Sequence, residues 1–173
     1  MSKKIRLAGI AYESLVNGPG MRRVYFSQGC RHNCEGCFNP DTHDFNGGKE
    51  FNDKTIEKVL ELCSQEYIQG LSILGGEPLH PKNIVGSTKL AKSFKEKYPN
   101  KTLWVWTGFN YEYLQNQEIF NYIDVLVDGQ YVDELHDFTL KWCGSSNQRV
   151  IDIKKSKSNK KVVLYEEKVL EEV

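Results

Sequence analysis

Strand-like and helix-like segments alternate along most of this chain, and this order restricts the possible folds more than any other feature. Apolar, β-branched or aromatic runs occupy residues 23–27, 71–74, 102–107 and 123–128, with weaker runs at 140–143 and 149–153. Segments with helical period lie between several of them. The alternation predicts an α/β fold in which helical crossovers connect the strands of a mostly parallel sheet.

The helical segments indicate which side chains face the core. One stripe at i, i+3, i+4 and i+7 is formed by Ile56, Val59, Leu60 and Cys63. Such a stripe is typical of a buried helix face, so Cys63 is predicted to be a core residue. Asn52 and Asp53 are candidate caps before this helix. Further helices are predicted at residues 84–94 and 111–122.

The length of the chain limits how complete such a fold can be. A full barrel of eight β/α units typically needs about 250 residues, whereas this chain has 173 and has room for five or six units. We therefore expect a single domain over residues 1–173, built as an incomplete, laterally open (β/α) barrel. Residues 154–173 contain a lysine-rich turn and an acidic tail; the turn is expected to be solvated, and the pattern predicts no structure or role for the tail.

Charge and composition narrow the classes of partner and location. Lys and Arg number 23 and Asp and Glu number 23, so the formal net charge is zero, and the basic footprint of a nucleic-acid-binding protein is missing. No run approaches the roughly 18 apolar residues of a membrane span, and the first residues lack the apolar core of a secretion signal. We expect a cytoplasmic protein with reduced thiols and no nucleic-acid or membrane partner.

Three cysteines in one short loop, Cys30, Cys34 and Cys37, follow the first predicted strand with the spacing C-x3-C-x2-C. A 4Fe-4S cluster normally takes four thiolates, one for each iron, so three thiolates would leave one iron open to an outside ligand. Structural zinc is an alternative, but it prefers four closed ligands, and only His32 or His43 could complete the set. Disulfides are a further alternative, which a reducing compartment disfavours.

Glycine-rich or polar residues follow each of the other main predicted strands. These are Gly75-Gly76-Glu77-Pro78, Thr107-Gly108 and Asp128-Gly129. Ligands bind beyond the carboxyl ends of parallel strands, so we expect these residues to lie near the cysteine loop. The glycine pair permits close approach of the main chain to a ligand, and exposed carbonyls or the Glu77 carboxylate would accept hydrogen bonds from a cationic amino group. Asp128 would either bind ribose hydroxyls or be an ordinary turn residue.

The cysteine triad followed by Gly-Gly-Glu-Pro resembles the radical S-adenosylmethionine superfamily. Within it, five blocks in order resemble the activating enzymes of anaerobic (class III) ribonucleotide reductase. They are Val-Asn-Gly-Pro-Gly-Met-Arg at 16–22, Gly-Gly-Glu-Pro-Leu-His-Pro at 75–81, Trp-Val-Trp-Thr-Gly-Phe at 104–109, Val-Leu-Val-Asp-Gly at 125–129 and Gly-Ser-Ser-Asn-Gln at 144–148. The chain departs from the superfamily pattern by placing Gly36, and not a bulky residue, before the third cysteine, with Phe38 just after it. The resemblance does not extend beyond about residue 153.

The resemblance implies a 4Fe-4S cluster on Cys30, Cys34 and Cys37, with the amino and carboxylate groups of S-adenosylmethionine on the fourth iron. The implied contacts to S-adenosylmethionine are Gly36, Cys37, Phe38, Gly75, Gly76, Glu77, Thr107 and Asp128. Reductive cleavage of this cofactor would give methionine and a 5'-deoxyadenosyl radical. No general acid or base is needed, so the histidines are expected to be surface or capping residues: His32, His43, His80 and His136.

The implied partner is the large subunit of anaerobic ribonucleotide reductase, on which the radical would take a hydrogen atom from a glycine. The resemblance also implies a low-potential reductant such as a flavodoxin-like protein. Asn17, Gly18 and Pro19 are candidates for the docking rim. The alternatives are an activase of another glycyl radical enzyme, a small-molecule radical enzyme of the deazapurine-forming type, and a non-catalytic iron-sulfur or zinc module.

Overall fold

The computed structural model describes residues 4–168, which form one seven-stranded sheet with its helices packed on one face. The strands are β1 (Arg6–Ser14), β2 (Arg22–Ser27), β3 (Lys49–Glu50), β4 (Gly70–Gly75), β5 (Thr102–Trp106), β6 (Val125–Asp128) and β7 (Arg149–Asp152). The α-helices are α1 (Asp53–Leu62), α2 (Ile84–Lys97), α3 (Tyr111–Leu114) and α4 (Ile153–Asn159). Short 3-10 helices lie at Pro40–Thr42, Glu118–Asn121 and Asp133–Leu135.

The middle of the sheet is parallel, as the alternating pattern predicts. The strand order is β3-β1-β2-β4-β5-β6-β7, and β2, β4, β5 and β6 are mutually parallel. This parallel part has four strands, fewer than the five or six units that the chain length allows. β1 is antiparallel to β2 because residues 15–21 are too few for a crossover, which needs a dozen or more residues. β7 returns antiparallel to β6.

The four main predicted strands correspond to β2, β4, β5 and β6, and the weak run at 149–153 corresponds to β7. The weak run at 140–143 is not a strand, so that prediction is wrong. Its residues form bends in the connection between β6 and β7, and Trp142 has a φ of 63°, a left-handed conformation that a strand does not accommodate. The sequence pattern did not predict β1 or β3.

The first two predicted helices are confirmed, and the third is broken. α1 begins at a capping box, in which Asn52 Oδ1 accepts from Thr55 N, and the Thr55 hydroxyl accepts from Asn52 N. Asp53 is its first helical residue, and Cys63 is fully buried as predicted. The region 111–122 divides into α3 and the 3-10 helix Glu118–Asn121. None of the helices in residues 4–168 has both the length and the apolar character needed to span a bilayer.

The two faces of the parallel sheet have different surroundings. Tyr25, Ile73 and Val105 belong to the main core, which the helices cover. Because side chains alternate along a strand, their neighbours point to the other face, where Trp104 anchors a second apolar cluster with Val125 and Val127. This second face is only partly covered, and it contains the cleft described below.

Part of the segment beyond residue 153 is ordered and packs onto the sheet. Asp152 caps α4 by accepting a hydrogen bond from Lys155 N at 2.9 Å. The chain then returns, so that Tyr165 N donates to Val150 O and the Tyr165 ring lies 5.0 Å from the Trp104 ring. The lysines of the turn are exposed, as predicted. Residues 169–173 of the predicted acidic tail lie outside the described residues.

Candidate functional site

A cleft of about 670 Å³ lies on the partly covered face of the sheet and extends to the carboxyl ends of the parallel strands. Its floor includes Phe26, Leu74 and Trp106, and its walls come from the cysteine loop and the connection between β6 and β7. Eight predicted site residues line it: Cys30, Cys34, Cys37, Phe38, Gly75, Gly76, Glu77 and Thr107. Gly36 and Asp128, which the sequence also predicts as cofactor contacts, are not among its lining residues.

The cysteine loop is held in place by the chain that follows it. Gly29 N donates to Thr42 O at 2.7 Å, and Cys30 N donates to His43 O at 3.1 Å. The 3-10 helix Pro40–Thr42 begins at a proline, whose fixed φ suits the first helical position. Within the loop, Cys37 N donates to Cys34 O at 3.3 Å. These bonds fold the loop back on itself, with its three thiols along one cleft.

The three cysteines of this loop are available to hold irons of a 4Fe-4S cluster. All three are free and half-buried. Within residues 4–168, no three His, Cys, Asp or Glu side chains are placed to hold one ion. A cluster does not require its ligands to converge on one point, because each thiolate binds a different iron. Burial is the main reason that the pKa of the Cys30 thiol is raised, and iron coordination would favour the thiolate instead.

The two histidines that are candidates for the fourth zinc ligand make other contacts. His43 Nε2 lies 3.3 Å from Cys37 Sγ, within hydrogen-bonding distance of sulfur. Contacts of this kind orient a metal ligand from outside the first coordination shell. His32 points instead to Glu77, with its Nε2 2.7 Å from Glu77 Oε2. His32 is therefore a half-buried residue of the cleft and not the surface or capping residue that we expected.

Glu77 is 1% exposed, and its carboxylate is surrounded by protein donors. Oε1 accepts from Leu79 N at 2.9 Å and from the Thr107 hydroxyl at 2.8 Å. Oε2 accepts from Gly108 N at 2.7 Å and contacts His32. A buried carboxylate is stable only when it is bonded in this way. Glu77 thus joins the loops after β2, β4 and β5 into one unit.

Gly75 and Gly76 are required by the close approach of two loops. A Cβ at Gly75 would lie 2.8 Å from backbone atoms of Phe26 and Ser27, and Gly75 has a φ of 108°. A Cβ at Gly76 would lie 2.7 Å from Gly29 O. Only glycine fits these positions without displacing the backbone. The pair therefore packs the end of β4 against the start of the cysteine loop, and it lines the cleft from that position.

Asp128 is buried, does not line the cleft and forms an ion pair with Arg149, which the sequence analysis did not predict. Its Oδ1 accepts from Arg149 Nε at 2.9 Å, and its Oδ2 accepts from Tyr111 N at 2.8 Å and from Arg149 Nη2. Arg149 also donates to both carboxylate oxygens of Glu112. Asp128 lies opposite Arg149 in the β6–β7 ladder. The bonds from Arg149 compensate the burial of the Asp128 carboxylate. Asp128 is therefore a buried, paired residue at the end of β6 and not an ordinary turn residue.

Gly36 packs away from the cleft, against the β6–β7 connection. A Cβ at Gly36 would lie 2.5 Å from Asp133 Oδ1. The Asp133 carboxylate is held there by the Tyr131 hydroxyl, which donates to it at 2.8 Å. The lack of a side chain at Gly36 therefore lets the β6–β7 connection contact the cysteine loop.

Residues 129–148 contribute more to the cleft than the sequence indicated. Nine cleft residues there were not predicted for the site: Tyr131, His136, Asp137, Phe138, Leu140, Trp142, Cys143, Gly144 and Gln148. Burial raises the pKa of Cys143 to about 11. Trp106 Nε1 donates to Trp142 O at 2.8 Å, which fixes this segment to β5. The signals in the sequence are the aromatic residues Tyr131, Phe138 and Trp142 and the weak strand-like run at 140–143, and neither indicates a cleft wall.

Comparison with known proteins identifies the family. The model of a 4Fe-4S single cluster domain matches residues 16–151. The anaerobic ribonucleoside-triphosphate reductase-activating protein of Enterobacteria phage T4 is 42% identical over 135 residues, which cover 78% of this chain and 86% of the phage protein. Its namesake in Escherichia coli (strain K12) is 40% identical over 140 residues, 79% of this chain and 91% of that protein. Its Vibrio cholerae namesake is 38% identical over 138 residues, covering 78% and 89%.

The matched domain contains the cysteine loop, the Gly-Gly-Glu-Pro segment and the whole β6–β7 connection, which are parts that form the cleft. The identity is spread over more than three quarters of each chain. The chain therefore belongs to the family of anaerobic ribonucleoside-triphosphate reductase-activating proteins and contains a 4Fe-4S single cluster domain.

Proposed function

We propose that this chain is the activating enzyme that generates a glycyl radical on anaerobic ribonucleotide reductase, using a 4Fe-4S cluster and S-adenosylmethionine. One observation carries the proposal: the three-cysteine loop and the Gly-Gly-Glu-Pro loop line a single cleft in a chain of this family. The reaction makes the protein an oxidoreductase.

Cys30, Cys34 and Cys37 would hold three irons of the cluster, which leaves the fourth for S-adenosylmethionine. When bound and reduced, these cofactors supply the 5'-deoxyadenosyl radical that takes a hydrogen atom from the target glycine. The chain supplies the positions of the groups. The His43 ring contacts the sulfur of Cys37. The carbonyl oxygens of Thr42 and His43 accept hydrogen bonds from Gly29 N and Cys30 N, which hold the start of the loop.

The contacts to S-adenosylmethionine are assigned to cleft residues. Phe38 offers an aromatic face, and the Gly75-Gly76 main chain and Thr107 offer polar atoms. Because the Glu77 carboxylate already binds four protein donors, we infer that main-chain carbonyls receive the amino group while Glu77 holds their loop in place. Contact of Gly36 or Asp128 with S-adenosylmethionine stays a prediction. The Asp128 carboxylate could bind the cofactor only after its hydrogen bonds to Arg149 are broken.

We infer that the sheet is the wall of an incomplete, laterally open barrel within a single domain. The strand order is linear, with β3 and β7 at its two ends, and the cleft occupies the face away from the helices. Hydrogen transfer requires the reacting atoms to approach within about 3–3.5 Å. A side opening would let the glycine of a folded reductase subunit approach the cleft that closely.

We infer that a flavodoxin-like protein in the cytoplasm donates the electron that reduces the cluster. The reduction of a sulfonium needs a cluster at the low end of the iron-sulfur range, which begins at about −700 mV. A strong one-electron donor is therefore required.

The test is anaerobic reconstitution with iron and sulfide, followed by incubation with the cognate reductase, dithionite and S-adenosylmethionine. We expect a glycyl doublet in the electron paramagnetic resonance spectrum, and deuterium transfer from glycine-labelled reductase into 5'-deoxyadenosine. The Cys34→Ala variant is the control and should give neither. Cofactor cleavage without any radical on the reductase would contradict the assignment of the partner and favour a small-molecule radical enzyme.

A further inference from the structure

Besides Phe38, which is 66% exposed and which we assign to S-adenosylmethionine, two large apolar side chains line the cleft and are exposed to solvent. Phe138 is 90% exposed and Val16 is 75% exposed. Leu15, next to Val16, is 67% exposed, and Leu135, three residues before Phe138, is 43% exposed. We call these four residues the apolar rim. An exposed apolar patch beside a cleft is typical of a protein-binding surface, because its burial removes apolar area from water.

Phe138 is presented by an ordered loop. Its ring lies 4.1 Å from the ring of His136, and His136 forms a β-bridge with Ser145. Asp137 Oδ1 accepts from both the backbone N and the hydroxyl of Thr139, which shapes the turn on either side of Phe138. A partner that contacts this ring therefore meets a preorganised surface, which lowers the entropy cost of binding.

The same loop is acidic. Asp133, Glu134 and Asp137 lie within five residues of Phe138, and Asp137 also lines the cleft. Hydrogen bonds from Thr139 lower the pKa of Asp137, which keeps it ionised. No lysine or arginine lies between residues 131 and 140. The surface beside the cleft is thus apolar and negatively charged.

We propose that the apolar rim, together with this acidic loop, is the docking surface for the glycine-bearing segment of the reductase. The inference rests on the proposed function, and it specifies the chemistry of the segment: a glycine flanked by apolar side chains, with a basic residue nearby. Val16 and Phe138 of the rim line the cleft that contains the three cysteines. Apolar neighbours of the glycine can pack on Val16 and Phe138 while the glycine, which has no side chain, enters the cleft.

The test measures binding of the cognate reductase to the reconstituted protein with S-adenosylmethionine, by anaerobic titration calorimetry. The variants are Phe138→Ser and Val16→Ser. The matched control is Tyr113→Ser, which removes an aromatic side chain that is 81% exposed but does not line the cleft. Truncation of an exposed aromatic anchor at an interface weakens affinity about tenfold or more.

We expect Phe138→Ser to weaken binding about tenfold or more, Val16→Ser to weaken it less, and Tyr113→Ser to leave it unchanged. Added salt should weaken wild-type binding because the acidic loop contributes by charge. Equal affinity for Phe138→Ser and Tyr113→Ser would overturn the docking surface and leave the proposed function intact. Failure of the wild type to bind the reductase would overturn the proposed partner instead. A wild-type dimer that Phe138→Ser converts to a monomer would assign the rim to self-association and also overturn the inference.

Discussion

His32 Nε2 lies 2.7 Å from Glu77 Oε2, and this contact joins the three-cysteine loop to the Gly-Gly-Glu-Pro loop. The two residues are 45 positions apart in the sequence, and Glu77 is 1% exposed. The His32 ring also packs edge-on against Phe109, at 4.7 Å between ring centroids. The proposed cluster ligands and the proposed S-adenosylmethionine loop are therefore parts of one hydrogen-bonded unit.

The His32–Glu77 contact predicts the effect of His32→Ala. The change leaves a buried carboxylate with three donors, which we expect to lower the free energy of unfolding by about 1–2 kcal/mol. It also removes the side-chain contact between the cysteine loop and Glu77, although backbone bonds such as Glu77 N to Gly29 O remain. The variant should lose iron faster than the wild type during anaerobic gel filtration. Urea titration and iron analysis check the two effects, and equal iron retention would contradict the coupling between the loops.

Cysteine substitutions separate the proposed cluster ligands from a neighbouring thiol. Cys143 lines the same cleft as Cys34 but follows a different strand. We expect Cys34→Ala to abolish retention of a 4Fe-4S cluster, whereas Cys143→Ala retains four irons per chain. Iron and sulfide analysis with the visible absorbance of the reconstituted proteins checks this. Loss of the cluster in Cys143→Ala would show a fourth protein ligand.

The glycine pair predicts a strong difference between two glycine-to-alanine changes. A Cβ at Gly76 would lie 2.7 Å from Gly29 O, whereas a Cβ at Gly9 would meet no atom within 4 Å. We expect Gly76→Ala to destabilise the protein by about 1–3 kcal/mol, because the backbone must shift. Gly9→Ala should be neutral or stabilise it by up to about 1 kcal/mol. Urea unfolding of both variants measures the difference, and similar values would contradict the tight packing of the two loops.

The Arg149 network predicts a pH-dependent contribution from Glu112. The hydrogen bonds from Arg149 lower the pKa of Glu112 below its ordinary value of 4.5. A carboxyl with a lowered pKa stabilises the fold fully above its unfolded pKa, and this contribution is lost as the pH falls through the folded pKa. Glu112→Gln should therefore cost stability at neutral pH, and this cost should shrink as the pH falls below 4.5 and through the lowered pKa of Glu112. The cost should be under about 1 kcal/mol, because the pair is largely solvated.

Urea titrations at neutral and acidic pH measure this difference. The control is Glu57→Gln, at an exposed position of α1, which should change stability little at neutral pH. A Glu112→Gln effect that is unchanged in acid would contradict the ionic contribution.

The sequence predicts what depends on local pattern and chemistry. The strands β2, β4, β5 and β6 follow from apolar runs, α1 and α2 from periodicity, and the three cysteines from their spacing. The strand β1 was missed because its apolar residues alternate with Ala8, Gly9 and Ala11, residue types that are depleted in strands. Only Leu7 in it is buried. The partners of Asp128 and Glu77 could not be predicted, because they depend on the β6–β7 register and on loops brought together by the parallel sheet.

The segment at 111–122 and the aromatic residues of the β6–β7 connection also could not be predicted from local sequence pattern. The apolar residues at 111–122 predict one α-helix, but the segment divides into α3 and a 3-10 helix. The adjacent residues Ile119 and Phe120 of the 3-10 helix are both buried. Phe138 and Trp142 lie in a segment whose conformation is set by contacts with β5 and the cysteine loop. Contacts between distant segments decide both features.

The open iron position is tested most directly by electron-nuclear double resonance on the reduced, reconstituted protein with S-adenosylmethionine labelled with ¹⁵N in the amino group and ¹⁷O in the carboxylate. We expect hyperfine coupling from both labels to the cluster, because three cysteines leave one iron for these groups. A cluster spectrum that shows neither coupling and does not change when S-adenosylmethionine is added would contradict the assignment of Cys30, Cys34 and Cys37 as the complete protein ligand set.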